Sequence, residues 1–278
     1  MSCAYAVQVE EKLYIGGGWT RSVDDGLSVF QYEAGQDKWL KLKQYRWRRF
    51  AMAALQKKLT LVGGLDTSTQ TLKATNQIAV WEEKGMSHQW THPYPPMPTH
   101  RYSPAVATLN QWLVVAGGYD DGHNELAAVE LLNIDSQQWM SMTPLPMKCD
   151  SVTSAIVQHE LFLVGGTLTT TLAMSLPDSS SCTTTKTWRT LTAPPLKRTA
   201  AITFHGALLA FGGRHGKYRS KAIHIYQPTT NDWSKVEDLP TARSSCSCTL
   251  LASGEILVAG GRESDGYSSR VDVATVCS

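Results

Sequence analysis

The sequence predicts an all-β chain, folded as a six-bladed β-propeller with a three-stranded last blade. Three observations lead there. An apolar run ending in a glycine pair recurs six times along the 278 residues. A tryptophan follows each of the first five pairs at a nearly constant offset. No amphipathic helix of ordinary length appears; the apolar runs are short and bounded by turn residues, as strands are.

The six copies are Leu13-Tyr14-Ile15-Gly16-Gly17, Leu59-Thr60-Leu61-Val62-Gly63-Gly64, Leu113-Val114-Val115-Ala116-Gly117-Gly118, Leu161-Phe162-Leu163-Val164-Gly165-Gly166, Leu208-Leu209-Ala210-Phe211-Gly212-Gly213 and Ile256-Leu257-Val258-Ala259-Gly260-Gly261. Counted from the first glycine of each, the intervals are 47, 54, 48, 47 and 48 residues. Trp39, Trp90, Trp139, Trp188 and Trp233 lie 23, 27, 22, 23 and 21 residues beyond. Two marker series in step define a true repeat.

Each unit reads as four strands. Unit one runs Ala4 to Val9, Leu13 to Ile15, Leu27 to Tyr32 and Trp39 to Leu42. Unit two runs Phe50 to Leu55, Leu59 to Val62, Gln77 to Trp81 and on to Trp90, its extra length assigned to a connection from Glu82 to Gln89. Unit three runs Ser103 to Leu109, Trp112 to Ala116, Ala128 to Leu132 and Trp139 to Met142. Unit four runs Ser151 to Val157, Leu161 to Val164, Leu172 to Leu176 and Trp188 to Leu191. Its Ser- and Thr-rich stretch, Thr167 to Thr187, marks it as the least regular. Unit five runs Ala200 to Phe204, Ala207 to Phe211, Ala222 to Tyr226 and Trp233 to Val236. Unit six offers Cys246 to Leu251, Ile256 to Ala259 and Val271 to Val276, with no tryptophan after its glycine pair. Proline-bearing segments separate the units, since proline donates nothing to a ladder.

A four-stranded sheet of this size cannot bury both faces alone. Sheets stacked round an axis can, which is the propeller solution. The expected blades span about residues 1–45, 46–98, 99–147, 148–195, 196–241 and 242–278 of a single domain. The N-terminal residues are used by the first blade, so the ring is expected to close by side-chain packing of blade six on blade one. The third strand of blade six is then an exposed edge, unless the chain is a piece of a longer product.

The repeat resembles the kelch repeat. The residues that carry the resemblance are the glycine pairs, the tryptophans, and the segments Tyr94 to Arg101, Met142 to Pro146 and Leu239 to Arg243. It covers essentially the whole chain and implies a kelch-type propeller like that of kelch-like adaptor proteins. Fold alone does not fix function.

Bulk composition excludes several classes. A net charge of +2 gives no general attraction to nucleic acid. No run approaches a membrane span and no signal peptide opens the chain. The six scattered cysteines and the lack of Asn-x-Ser/Thr acceptors suit a cytoplasmic protein with reduced thiols. Phosphate-loop and nucleophile-elbow motifs are missing, and no cofactor is expected. His88 and His92, four apart, are read as surface residues rather than metal ligands. The run from Tyr45 to Phe50, which alternates bases and aromatics, is read as a blade junction rather than a nucleic-acid surface. Cys246 and Cys248 are read as small residues on a crowded innermost strand.

Two loop sets should share one face: those after each glycine pair, and those entering each blade. The entering loops supply Arg49, Arg101, Lys148, Arg198 and Arg243. The loops after the pairs supply Trp19, Tyr119, Arg214, Tyr218, Arg262 and Tyr267. Together these are the expected partner-binding residues, with guanidinium groups suited to carboxylates. Resemblance to kelch-like adaptors implies a non-enzymatic module that binds a protein or acidic peptide, as a ubiquitin-ligase substrate adaptor or a cytoskeletal scaffold. The alternative is an enzyme, sugar-processing or metal-dependent, at the propeller mouth.

Overall fold

A computed structural model describes residues 4–18, 28–68, 71–84, 87–177 and 186–274. Six antiparallel sheets stand round an axis, each ordered outward as the strands occur in the chain. The innermost strands are Tyr5–Val9, Ala51–Leu55, Ala105–Leu109, Thr153–Val157, Ala200–Phe204 and Ser247–Leu250. Each packs against the next, and the last returns to the first. Blade three is representative: Ala105–Leu109, Trp112–Ala116, Val129–Asn133 and Gln138–Ser141. The expected six-bladed propeller is the fold observed.

The core lies between the sheets. Each of the six seams holds its own apolar cluster. At the seam of blades three and four, Val114, Leu131, Leu161, Leu163 and Leu172 are all essentially out of solvent. Each such side chain contributes about 1.5–3 kcal/mol. The seam of blades six and one buries only Ala6, Leu13, Leu257 and Ala259 fully. It is the thinnest among the described residues, and the Gln8 N–H donates across it to Thr249 Oγ1 at 3.3 Å. Closure is thus by packing between blades six and one, as expected.

Three devices lock the seams. Small hydroxyl residues link adjacent innermost strands: Thr203 Oγ1 donates to the Ile156 carbonyl at 2.6 Å, and Ser154 Oγ to that of Val106. The outer tryptophans reach back to the previous blade. Trp90, Trp139, Trp188 and Trp233 donate their indole N–H to the carbonyls of Lys43, Pro95, Thr143 and Thr192 at 2.9–3.0 Å. The glycine pair seats the next blade's entering segment. A Cβ on Gly117 would lie 2.6 Å from the Cys149 carbonyl oxygen, and its φ of +62° is left-handed. The Gly118 N–H then donates to that same carbonyl at 3.0 Å.

Some sequence expectations shift. Blade one contains three consecutive glycines, and the left-handed pair is Gly17-Gly18, not Gly16-Gly17. Gly16 ends its strand opposite Tyr5, as Ala116 does opposite Ala105. The extra length of blade two is not a loop. Its third strand, Lys73–Lys84, and fourth, Ser87–Thr91, make a long hairpin paired from Val80↔Thr91 out to Lys84↔Ser87. Blade four has the shortest outer strand, Arg189–Leu191, while residues 178–185 of its Ser/Thr-rich stretch lie outside the described residues. Blade six is three-stranded as described: Ser247–Leu250, Ile256–Ala259 and Val271–Ala274.

Candidate partner-binding face

Paired backbone hydrogen bonds merge the two loop sets into one surface. In blades three, five and six the entering residue bonds the residue just after that blade's glycine pair, each N–H to the other's carbonyl. Tyr102 and Tyr119 do so at 3.0 and 2.9 Å, Lys197 and Arg214 at 3.0 and 2.7 Å, and Ser244 and Arg262 at 3.1 and 2.8 Å. Side chains some 17 residues apart in sequence thereby sit side by side.

Two residues before five of the innermost strands the chain turns left-handed. Arg49, Ser103, Ser151, Arg198 and Ser245 occupy this position, with φ between +50° and +56°. The Ser103 N–H donates to the Arg49 carbonyl and the Ser245 N–H to that of Arg198, both at 2.8 Å. These residues ring the axial opening. Below it lies a cavity of about 180 Å³ whose lining includes Ser151, Thr199, Arg198, Ser245, Cys246 and Cys248. Arg198 lines this cavity, and Arg49 lies over the Tyr102 ring, 5.0 Å from its centroid. Burial, and then the neighbouring Cys246, raises the Cys248 thiol pKa.

Arg101 and Arg243 do not belong to this surface. They lie two residues earlier than the ring position, and both are completely buried. Arg101 Nη1 donates to the carbonyls of Gly117 and Ala128 at 2.8 and 3.0 Å, and Nη2 lies 2.9 Å from Glu130 Oε2. Arg243 repeats the arrangement in blade six, reaching the carbonyls of Gly260 and Arg270 and the Asp272 carboxylate. Their charge is consumed inside the blade, so they are braces and not partner contacts. The same position holds Trp47 and Cys149, also fully buried. Burial, then Asp150 and Glu125, pushes the Cys149 thiol up to about 12.

The remaining cations gather unevenly. Lys197, Arg214, Lys217 and Arg262 are exposed over blades five and six, beside half-buried Arg198. Tyr218 is 70% exposed at the tip of the Arg214–His215/Tyr218–Arg219 hairpin, and Lys217 lies over its ring. Arg262 lies over the Tyr267 ring at 5.3 Å in the equivalent hairpin of blade six. Lys148 is exposed at the entry to blade four. Trp19 lies outside the described residues.

Blades three and four carry the opposite sign. Asp120 accepts the N–H groups of Gly122 and Asn124, both at 2.8 Å, which lowers its pKa. Tyr119 stacks on Tyr102 with centroids 5.1 Å apart. Burial and the nearby Asp150 raise the Tyr119 pKa. Glu125 is held protonated to higher pH, by burial first and then by its hydrogen bond to Asp150.

Between blades four and five lies a groove of about 420 Å³. Leu168, Pro194 and Leu196 give it an apolar floor, and Lys197, Arg214 and His215 a basic rim. Sequence reading found Arg214 of the rim but missed the floor. The signal was present: Leu196 occupies the position of Arg101 and Arg243, where a side chain must point inward.

The other sequence candidates are absorbed by packing. Trp47 and Phe50 are fully buried. His92 Nε2 meets the Tyr45 hydroxyl at 2.6 Å, and its Nδ1 the Ile78 carbonyl at 2.9 Å. His88 stacks on Trp81. No helix among the described residues is long and apolar enough to cross a membrane.

The fold and loop face define a repeat propeller with a polar, bipolar mouth. A sequence model of the KLHDC2/KLHL20/DRC7 Kelch-repeats domain matches residues 49–261. The chain therefore belongs to the kelch-repeat family. It is 25% identical over 247 residues to Kelch-like protein 35 of Mus musculus, covering 86% of this chain and 39% of that protein. It is 27% identical over 164 residues to Kelch repeat and BTB domain-containing protein 12 of Homo sapiens, covering 50% and 25%. The chain thus spans well under half the length of these relatives. Among solved structures, YjhT superposes with a TM-score of 0.80 over 99% of this chain and 95% of its own, at 14% identity, a likeness of fold.

Proposed function

We propose that the chain is a non-enzymatic interaction module that holds an acidic peptide on the loop face, across the groove of blades four and five. The observation that carries this reading is the Lys197–Arg214 backbone pair. It fixes two exposed cations side by side at the rim of an apolar-floored groove. A peptide with an aliphatic side chain beside carboxylates matches both floor and rim. The kelch-like relatives support an interaction role, and recruitment of clients to a ubiquitin ligase or to the cytoskeleton are the assemblies in which it would serve.

The test is titration of fluorescent acidic peptides, with and without a central leucine, against the chain and a Lys197→Glu, Arg214→Glu variant. Binding should weaken roughly tenfold or more in the variant. Equal binding by both proteins would overturn the reading. The Tyr119, Glu125 and Asp150 cluster favours a second reading, an enzyme at the mouth with two carboxyl groups held side by side. Turnover lost in Glu125→Gln would establish it.

A further inference from the structure

On the loop face the backbone bridges run in register across three segments. In blade five Lys197 lies opposite Arg214, and Arg214 lies opposite Arg219. The same row is Tyr102, Tyr119 and Glu125 in blade three, and Ser244, Arg262 and Tyr267 in blade six. Residues directly opposite in an antiparallel pair send their side chains to one face, with Cβ atoms about 4.5–5.5 Å apart. The other two blades show the contact: Tyr102 stacks on Tyr119, and Arg262 lies over the Tyr267 ring. Of these three rows, that of blade five has a cation at every place.

Like charges directly opposed destabilise a sheet unless an anion lies between them. Blade five supplies none. Its ion pairs join Lys221 and Lys235 to Asp238, and no carboxylate among the described residues pairs with Lys197, Arg214 or Arg219. Lys197 and Arg214 are exposed, and Arg214 Nη1 gives one N–H to the Gly216 carbonyl at 3.3 Å. Arg219 is half-buried, and its Nε–H is out of solvent with no partner among the described residues. Three charges in a row exceed what one carboxylate balances. A phosphorylated side chain brings a charge of about −1.5 to −2 and three strong acceptor oxygens. Guanidinium groups grip such a group bidentately. A long polyanion is a poor match, because the net charge is +2 and Asp120 and Glu125 share the loop face.

We propose that the row of Lys197, Arg214 and Arg219 receives a phosphoserine or phosphothreonine of the partner protein. This rests on the acidic-peptide reading and narrows it: the partner is held in its phosphorylated form. The phosphate lies on the row, and an aliphatic neighbour lies on the floor of Leu168, Pro194 and Leu196, which Lys197 and Arg214 rim.

The experiment titrates three fluorescein-labelled peptides by anisotropy at one ionic strength. They differ at a single position beside a leucine, which carries phosphoserine, glutamate or serine. The phosphoserine peptide should bind about tenfold more tightly than the glutamate peptide. Arg219→Gln should abolish that preference, and Arg219→Lys should keep part of it. Equal affinity for the phosphoserine and glutamate peptides would overturn the proposal and leave the acidic-peptide reading standing. No binding of either would overturn both. A preference unchanged in Arg219→Gln would also overturn the proposal. So would tighter, Arg219-dependent binding of vesicles containing phosphatidylinositol bisphosphate, which would make a lipid headgroup the occupant.

Discussion

Arg101 and Glu130 meet at 2.9 Å with neither side chain exposed to more than a trace of solvent. A buried pair of this kind is worth little against an apolar substitute, but breaking it is costly because one charge is left alone. Arg101→Ala should destabilise the chain by about 3–5 kcal/mol. Arg101→Leu combined with Glu130→Leu should recover much of that. Urea denaturation of the three proteins checks both; a single variant no worse than the double would refute the brace.

The glycines separate strain from crowding. Gly117→Ala meets a carbonyl at 2.6 Å and an unfavourable φ, whereas Gly206→Ala has φ +77° but nothing within 4 Å. Gly206→Ala should cost about 1 kcal/mol, the backbone term alone. Gly117→Ala should cost distinctly more. Gly35→Ala, with neither problem, should be neutral or slightly stabilising. Thermal melts of the three variants give the order.

Trp139→Phe removes a hydrogen bond to the Pro95 carbonyl across a seam. Its loss should cost about 1 kcal/mol beyond the change in ring area. Trp39, whose indole makes no such bond among the described residues, provides the control, and Trp39→Phe should lose only the packing difference. Equal losses in denaturant titrations would show that the tryptophans act by bulk alone.

The raised Glu125 carboxyl gives a pH signature. Its folded pKa lies above the ordinary value of 4.5, so the folded state binds the extra proton between the two values. The stability associated with that proton is full below about pH 4.5 and falls as pH rises through the folded value. Glu125→Gln should therefore gain Tm over the parent as pH increases from about 4 to about 8. A constant Tm difference would contradict the assignment.

Cys149, with its thiol pushed up to about 12 and its side chain fully buried, should resist alkylation at about pH 8 in the native chain and react only in denaturant. Mass mapping of labelled peptides measures this directly.

The propeller was legible because a glycine pair recurs in every blade and a tryptophan in the first five, so the two series keep step along the chain. The register at each junction was not. Inner strands begin at Ala51, Ala105, Thr153, Ala200 and Ser247. A cation two residues before the start, as at Arg49 or Arg198, is at the axial opening. A cation four residues before, as at Arg101 or Arg243, is inside the blade. Sequence patterning locates a strand start only to within a residue or two, so it could not tell these fates apart. Three glycines in a row hid the true pair of blade one for the same reason. The bipolar loop face was likewise invisible, because Glu125 and Asp150 belong to different blades and meet only in three dimensions.

The tryptophan latches have an evolutionary consequence. Their acceptors are carbonyls of a lysine, a proline and two threonines, atoms that every residue possesses. Each of these four latches is therefore encoded on the donor side only. The receiving positions are free to drift under mutation with no compensating change across the gap, and a chain built this way can diverge to low identity with its relatives while its blades stay in step.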